Sequence, residues 1–271
     1  MLLELSGIRL IDPNILAASY GNTVVQYEGL PGYYFHYDSA LTMSIRAGGL
    51  FLNPPVAGLV VAVGSVIAWH TLRGKIRYIL VTLQMLAVYS SFGRGGFVVA
   101  AVGIFLPILI GRFGRFFAFV IPVYPAYLIY NEIVTSGSSA SHSEGLFYGV
   151  TTAIIRPFGD GFGSVGNFVK LVTRDTEASE SLAGVALVAG GLAVLVFLVL
   201  LLIALVRRVF QNPFLWPAAL GIGGLITALF SESTGALNGT IPLWLAIGVA
   251  LGPASKSFLK LRQGRNAIVR S

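Results

Sequence analysis

Three arginines stand beside glycines at separate points of the chain, and their side chains could bind phosphate. Arg46 opens the stretch RAGGLFLNPP, Arg94 lies within SSFGRGGFVV, and Arg156 begins RPFGDGFG. A guanidinium group matches the oxygens of a phosphate in fixed geometry, and the glycines around Arg94 would leave it open to a large head group. The alternative for each arginine is an ion pair with a nearby acid or a contact with a lipid phosphate.

A second group of candidate ligand contacts lies in the chain after Arg156. Gly161 and Gly163 belong to the stretch GDGFGSVG, and glycine permits tight turns that bring backbone N–H groups close to a ligand. Lys170 and Arg174 follow and add positive charge. The stretch is not a dinucleotide-binding fingerprint, because no strand precedes it. It predicts a loop that approaches a ligand through its backbone.

The composition sets the environment in which these residues act. Of the 271 residues, 55% are hydrophobic and 11% are charged, whereas soluble domains carry about 25% charged residues. The chain has no cysteine, so a disulfide framework, a thiolate metal site and a cysteine nucleophile are excluded. The net charge of +7 comes from bases at the ends of apolar runs. That pattern indicates membrane topology and not nucleic-acid binding.

The apolar runs predict an all-α polytopic integral membrane protein, since a membrane-spanning helix needs roughly 20 mainly apolar residues. We predict one large external loop and about seven spans, which are Pro55–Leu72, Tyr78–Ser91, Gly96–Ile110, Phe116–Tyr130, Gly184–Val206, Leu215–Phe230 and Leu237–Gly252. The fifth span is the strongest because it is unbroken through LAVLVFLVLLLIALV. The second and third are short and close together, which predicts a tight helical hairpin whose turn holds Arg94.

Charged residues divide between the two ends of the spans, and the division predicts their orientation. One side receives only bases, namely Arg73, Lys75, Arg77, Arg112, Arg115, Arg207, Arg208, Lys256, Lys260, Arg262, Arg265 and Arg270. Short loops rich in lysine and arginine stay in the cytoplasm, so this side is predicted to be cytoplasmic. The other side receives every acid together with Arg9, Arg46, Arg94, Arg156, Lys170 and Arg174. The positive-inside tendency does not account for these six external bases, which makes them candidates for chemistry.

The spans divide the chain into five regions. We predict an external amino-terminal segment (1–54), a four-helix membrane region (55–130), an external functional loop (131–183), a three-helix membrane region (184–252) and a basic cytoplasmic tail (253–271). Residues 1–54 would have to be exported although they begin with no basic signal segment, which is unusual. We therefore expect that the chain is the carboxyl-terminal part of a longer protein, or that another chain supplies the missing amino-terminal half.

The motifs, in their order, resemble the O-antigen ligase and Wzy-type polysaccharide polymerase family of bacterial envelope proteins. The matching stretches are RAGGLFLNPPVAG before a span, SSFGRGGFVVAAVG at a helix start, RPFGDGFGSVGNF in the large loop and ESLAGVALVAGGLAVL before a long span. The resemblance implies an all-helical membrane fold that acts, without a metal or other cofactor, on sugars carried by undecaprenyl pyrophosphate. It also implies a place in the bacterial inner membrane, with the active face external, in the periplasm.

The chain departs from the family pattern at three places. Two prolines follow Asn53 where the family has Pro-Asn, Gly93 replaces the serine before Arg94, and Glu180 with a neighbouring serine replaces the His-Asn pair of the ligases. A glutamate–serine pair at this position is more similar to the polymerases. The resemblance therefore favours polymerisation of lipid-linked oligosaccharide repeat units, and transfer of glycan to the lipid A core by a ligase is the alternative.

Glycosyl transfer of the kind that the resemblance implies assigns roles to these residues. An acceptor hydroxyl attacks the anomeric carbon of the lipid-linked donor, and undecaprenyl pyrophosphate leaves. Arginines beside the pyrophosphate would stabilise its growing negative charge, and the candidates, in order, are Arg94, Arg156 and Arg46. Glu180 is the first candidate for a base that assists the hydroxyl. The other candidates are Asn53 for substrate contact, and Asp160 and His142 for substrate contact or as a base.

A transporter or a non-catalytic subunit of an envelope assembly is the alternative of another class. Transporters place ionisable groups in mid-membrane and show related halves, whereas nearly every charge here lies at the edge of a span. The partners that we predict are the lipid bilayer, an undecaprenyl-pyrophosphate-linked oligosaccharide, and either a chain-length regulator or the missing amino-terminal half. Nucleic acid is not among them.

Reporter fusions test the predicted orientation. A periplasmic reporter fused near Ser141 should be active, because the loop 131–183 is acidic and is predicted to be external. A fusion near Lys75 is the control, for which a cytoplasmic signal is expected. A cytoplasmic signal from the fusion near Ser141 would contradict the whole site assignment.

Overall fold

The computed structural model describes residues 1–9, 11–12, 26–27, 30–31, 34–37, 43–114, 137–161, 164, 181–211, 215–235 and 237–252. Within these ranges the chain is mostly helical. The helices are α1 (Leu2–Leu5), α2 (Pro54–Thr71), α3 (Gly74–Ser90), α4 (Arg94–Phe113), α5 (Gly137–Ile155), α6 (Leu182–Gln211), α7 (Trp216–Phe230) and α8 (Leu237–Leu251), with 3-10 turns at Gly49–Phe51 and Glu232–Gly235. Two antiparallel strand pairs join β1 (Gln26–Tyr27) to β2 (Leu30–Pro31) and β3 (Phe35–Tyr37) to β4 (Met43–Ile45).

Three helices of the described chain, α2, α4 and α6, are long and apolar enough to cross a membrane. The best window of α6 has a mean hydropathy of 3.1, the highest of the three, in keeping with its unbroken apolar run. The second, sixth and seventh predicted spans fall on the shorter helices α3, α7 and α8. The fourth predicted span, Phe116–Tyr130, lies outside the described residues.

Two features of the fold were not expected from the sequence. The segment 131–183, predicted as an external loop, contains the helix α5, which packs on the first part of α6. A Cβ placed on Gly149 of α5 would lie 2.6 Å from the Cα of Gly184 in α6, so small residues allow this approach. The short strands between residues 26 and 45 are the other addition to the predicted all-α fold.

The helices α2 and α4 lie side by side and run in the same direction. A Cβ placed on Gly96 of α4 would lie 2.8 Å from the carbonyl oxygen of Gly58 in α2, and further along the pair Gly103 faces Val66. Small residues let two helix backbones approach closely, as in many membrane helix pairs. The contact places the N-terminal ends of α2 and α4 next to each other.

The helix α7 runs antiparallel to α4 and connects it with α6 and α8. A Cβ on Gly223 of α7 would lie 3.1 Å from the Cα of Val99, and near the other end of the pair the Thr227 hydroxyl donates to the carbonyl of Gly95 at 3.3 Å. Buried apolar side chains of α4, α6, α7 and α8 form one core cluster, which includes Leu205. A second cluster joins α2 and α3 to α4, α7 and α8.

The turn between α3 and α4 is as short as predicted, but the two helices do not pack as a helical hairpin. α3 packs mainly along α2, whereas α4 packs on α2 and α7. The glycines of α4 explain the difference, because Gly96 and Gly103 allow α2 to approach more closely than α3 does.

The directions of the helices give the bundle two chemically different ends. We call the end at which α2 and α4 begin the Arg94 end. At the opposite end His70 of α2 stacks on Trp216, the first residue of α7, with ring centroids 5.8 Å apart. The described charges of that end are all positive: Arg73, Lys75, Arg77, Arg112, Arg207 and Arg208. We call it the basic end.

Large apolar side chains are exposed around the bundle. On α6, Val196, Phe197 and Leu200 have exposed fractions of 56%, 59% and 60%. Surfaces of this kind are unusual on soluble monomers and mark contact with another apolar phase. Together with the three long apolar helices, they are consistent with association of the chain with a lipid bilayer.

The close contact of α2 and α4 predicts different effects for two glycine substitutions. Gly96→Ala should destabilise the protein by about 1–3 kcal/mol, because the added methyl group would overlap the carbonyl of Gly58. Gly248→Ala, in α8, should be neutral or slightly stabilising, because the new Cβ would meet no atom within 4 Å beyond its own helix backbone and alanine favours the helix. Thermal unfolding in one detergent measures both variants, and equal melting temperatures would contradict the packing role of Gly96.

Candidate functional site

Arg46 and Arg94 lie close together at the Arg94 end. Arg94 is the first residue of α4 and is exposed, whereas Arg46, in the segment before α2, is half-buried. Burial is the main cause that lowers the pKa of Arg46 below its ordinary value, and the nearby positive charge of Arg94 is the second. Arginine stays protonated even so, and an anion bound beside the two groups would stabilise both charges.

Two backbone hydrogen bonds hold the chain at Arg46. The N–H of Arg46 donates to the carbonyl of Tyr34 at 2.7 Å, and the N–H of Ala47 donates to the carbonyl of Ser90, at the end of α3, at 2.9 Å. Tyr34 is buried and belongs to a small apolar cluster beside the β3–β4 pair. The strands therefore anchor Arg46 against the turn from which α4 begins.

Two bulky residues adopt a left-handed backbone conformation just before α2 and α4. Among the described residues, Leu52 (φ 53°) and Phe92 (φ 48°) are the non-glycine residues with positive φ. The conformation costs an L-residue about 1–2 kcal/mol, and such strain is concentrated at functional sites. Both strained turns lie where the chain presents Arg46 and Arg94.

The N-terminal ends of α2 and α4 add to the positive potential around the two arginines. Asn53 caps α2, since its Oδ1 accepts a hydrogen bond from the N–H of Val56 at 3.2 Å. A helix N-terminus carries a partial positive charge. The start of α2 contributes this charge without a free N–H group, because Pro54 and Pro55 have none and the N–H of Val56 bonds to Asn53. Arg94 in the first turn of α4 increases this potential, where an acid would have offset it. The site is therefore suited to a phosphate or pyrophosphate, and Asn53 has a capping role in it.

The glycines beside Arg94 pack against other parts of the bundle. Gly93 is buried before the first turn of α4, and a Cβ on Gly95 or Gly96 would collide with Thr227 of α7 or with the backbone of α2. The prediction that these glycines keep the approach to Arg94 open is therefore wrong. Arg94 is exposed because it begins the helix, and the glycines allow that helix to pack closely.

Arg156 belongs to a separate group. Its Nη1 donates to both carboxylate oxygens of Asp160, at 2.7 and 2.8 Å, and the side chain of Arg156 is 63% exposed. The hydrogen bond from Arg156 to Asp160 is the main cause that raises the pKa of Arg156, and the charge of Asp160 is the next. Among the described contacts, the charged partner of Arg156 is Asp160, four residues along the chain. Of the three candidate arginines, two are brought together and the third pairs with an acid.

The turn that carries this ion pair is fastened to a kink in α6. The helix departs from helical geometry at Gly191 (φ 62°, ψ −146°). Three backbone hydrogen bonds join the turn to the kink: Asp160 N–H to the Val188 carbonyl at 2.8 Å, Gly161 N–H to the Ala189 carbonyl at 3.0 Å, and Leu192 N–H to the Pro157 carbonyl at 3.0 Å. The N–H of Gly161, predicted to face a ligand, therefore bonds to α6.

Ser181, which follows Glu180 in the chain, is buried at the start of α6. Its Oγ accepts a hydrogen bond from the N–H of Gly184 at 3.0 Å and donates to the carbonyl of Ala228 in α7 at 3.5 Å. The neighbouring turn of α7 bonds to the first turn of α4, so Ser181 lies at the Arg94 end. The structure gives this serine the role of a helix N-cap, for which serine before an apolar run is a sequence signal.

The remaining predicted site residues lie outside the described part of the structure. They are Gly163, Lys170, Arg174 and Glu180. The backbone of His142 belongs to α5, while its side chain is outside the description. The proposed roles of these residues stay predictions from the sequence.

Comparison with known proteins adds no family assignment. No protein-family model matches the chain, and no curated protein or solved structure matches it. A proposal of function therefore rests on the residues of the Arg94 end and on the motif resemblance.

The three backbone hydrogen bonds between the 157–161 turn and α6 predict unequal effects for two substitutions. Gly191→Ala should lower the melting temperature by about 4 °C or more, because φ is positive there and a Cβ would collide with the carbonyl of Pro157. Asp160→Asn should leave the melting temperature nearly unchanged, because an exposed ion pair contributes little and the backbone bond from residue 160 persists. If Asp160→Asn lost as much stability as Gly191→Ala, the ion pair would hold the turn as strongly as the backbone bonds do, which would contradict this account.

Proposed function

We propose that this protein binds the pyrophosphate of an undecaprenyl-linked oligosaccharide at Arg46 and Arg94 and polymerises the oligosaccharide repeat units in a bacterial inner membrane. One observation carries the proposal: the backbone bond from Ala47 to Ser90 holds the half-buried Arg46 beside the turn at which the exposed Arg94 begins α4, next to the start of the parallel helix α2. The motif resemblance supplies the reaction class, and the arrangement of charge supports the anionic ligand.

The two arginines would act on the leaving group. The acceptor hydroxyl oxygen forms a bond to the anomeric carbon, the bond from that carbon to the pyrophosphate oxygen breaks, and negative charge grows on the pyrophosphate. Positive groups that already lie beside that oxygen stabilise the transition state, because they need no rearrangement as the charge develops. The proton of the hydroxyl passes to a base, for which Glu180 is the candidate.

The level of the site along the helices supports a lipid-linked substrate. Arg94 begins a helix that is long and apolar enough to cross a membrane, so its guanidinium lies where that helix would leave the hydrocarbon. Phe97, on the same face one turn further, is 37% exposed and contacts Tyr89, which also contacts Phe92. These rings offer an apolar surface for the polyprenyl chain next to the charge that would hold its pyrophosphate.

The glycan of a deletion strain distinguishes this proposal from its alternatives. Loss of a polymerase leaves single repeat units attached to the acceptor, whereas loss of a ligase leaves none. An unchanged glycan would contradict both activities and favour a transporter or a non-catalytic subunit. Complementation with the intact chain is the control for effects on neighbouring genes.

The geometry of Arg94 predicts that lysine will not replace it. Arg94→Lys should lower the rate of polymerisation nearly as much as Arg94→Ala, because lysine keeps the charge and loses the two-pronged set of donors. The loss of a contact made mainly in the transition state costs about 3 kcal/mol, or roughly a hundredfold in rate. Glycan chain length after gel separation measures the effect.

Arg73→Lys, at the basic end, is the matched control and should keep wild-type chain length. All variants are compared at equal membrane levels. Full chain length in Arg94→Lys would show that Arg94 only anchors the helix at the membrane surface.

A further inference from the structure

A cleft at the basic end lies between the last turns of α6 and α8. It is open to the outside, has a volume of about 450 Å³ and is lined by Ala204, Arg207, Arg208, Gln211 and Leu251. We propose that this cleft binds the phosphate group of an anionic phospholipid. The inference concerns the end opposite Arg94 and does not rest on the proposed function.

The two arginines of the cleft have different surroundings. Arg208 is half-buried, and its Nη2 donates to the carbonyl of Leu251 at 3.4 Å. Leu251 ends α8, where the last carbonyl groups carry partial negative charge, so Arg208 stabilises the helix end. Arg207 is exposed in the same cleft and, among the described residues, makes no ion pair. Its guanidinium is therefore the group that can bind a phosphate from outside the chain.

The charges around the cleft favour an anion from the membrane. The described residues of the basic end include no aspartate or glutamate and six bases, which are Arg73, Lys75, Arg77, Arg112, Arg207 and Arg208. Residues 253–271 add five further bases and no acidic side chain, so like charge disfavours that segment as the occupant. Basic pockets between membrane helices bind anionic head groups in this way.

One face of α6 extends from the cleft as an apolar surface. Ile203 and Leu200 lie one and two turns before Arg207, at the spacing that places residues on the same side of a helix. Their side chains are 41% and 60% exposed, and Val196, one turn further, is 56% exposed. A phospholipid whose phosphate contacts Arg207 can lay its acyl chains along these three residues. A free phosphate would bind to Arg207 and would not cover these apolar side chains.

Native mass spectrometry of the purified chain tests the inference with phosphatidylglycerol as the probe and phosphatidylcholine as the zwitterionic control. Wild-type protein should retain phosphatidylglycerol through detergent exchange, and Arg207→Gln should retain about tenfold less, as expected for loss of one charge-assisted hydrogen bond. Arg73→Gln removes the same charge from the same end outside the cleft and should retain the lipid as the wild type does. Because Arg207 is exposed, its substitution is expected to keep the fold, which gel filtration checks.

A second arm distinguishes the source of the phosphate. The melting temperature is also measured in lipid-free detergent with and without inorganic phosphate. If phosphate raises it for the wild type and not for Arg207→Gln, and phosphatidylglycerol is not selectively retained, the same site binds free phosphate. Equal loss of lipid in Arg207→Gln and Arg73→Gln would overturn the inference, because diffuse charge would then explain the binding. Retention that neither substitution changes, with no effect of phosphate, would also overturn it.

Discussion

Gly96 of α4 meets the backbone carbonyl of Gly58 in α2, and the distance between the two helices is set by this contact. Without a side chain on either glycine, the helices approach closely and begin side by side. Their adjacent N-terminal ends place the strained turns at Leu52 and Phe92 together. The proposed phosphate site exists because these helix starts are neighbours.

Several features that reduce the stability of the fold lie together at the Arg94 end. Arg46 is half-buried beside a second guanidinium, and two bulky residues before the helices adopt a left-handed conformation. Each cost must be offset by packing elsewhere, which here comes from the buried clusters of the helices and from the strand pair that anchors Arg46. Natural chains accept such conflicts mainly at functional sites. A bound anion would reduce the electrostatic part of the cost.

Much of the helical framework could be predicted from the sequence, because long apolar runs between charged residues have few structural solutions in a membrane. The kink at Gly191 could not, since glycines are common within membrane helices and the turn that fills the kink comes from residues 157–161. The role of the glycines beside Arg94 was misjudged for a similar reason. Glycine permits both open space and close packing, and only the neighbouring helix decides between them.

The sequence predicted which residue types form the candidate site, but it did not predict which of the arginines lie near one another. Guanidinium groups on the side predicted to be external indicated Arg46, Arg94 and Arg156, but their partners depend on tertiary contacts that no local pattern contains. The structure places Arg46 near Arg94, because Ala47, after β4, bonds to the end of α3, and it pairs Arg156 with an acid four residues away. The second pair has the i, i+4 spacing at which side chains meet. This ion pair was therefore easier to predict from the sequence than the proximity of Arg46 and Arg94.

A double-mutant cycle on binding tests most directly whether Arg46 and Arg94 hold one anion. The affinity of the purified protein for a polyprenyl pyrophosphate is measured for the wild type, Arg46→Gln, Arg94→Gln and the double variant, with the corresponding polyprenol as the phosphate-free control. If both arginines contact the same pyrophosphate, each substitution should weaken binding, and the double variant should depart from the sum of the two losses by about 1 kcal/mol or more. Losses that simply add, or affinities equal to that of the wild type, would contradict a shared phosphate site.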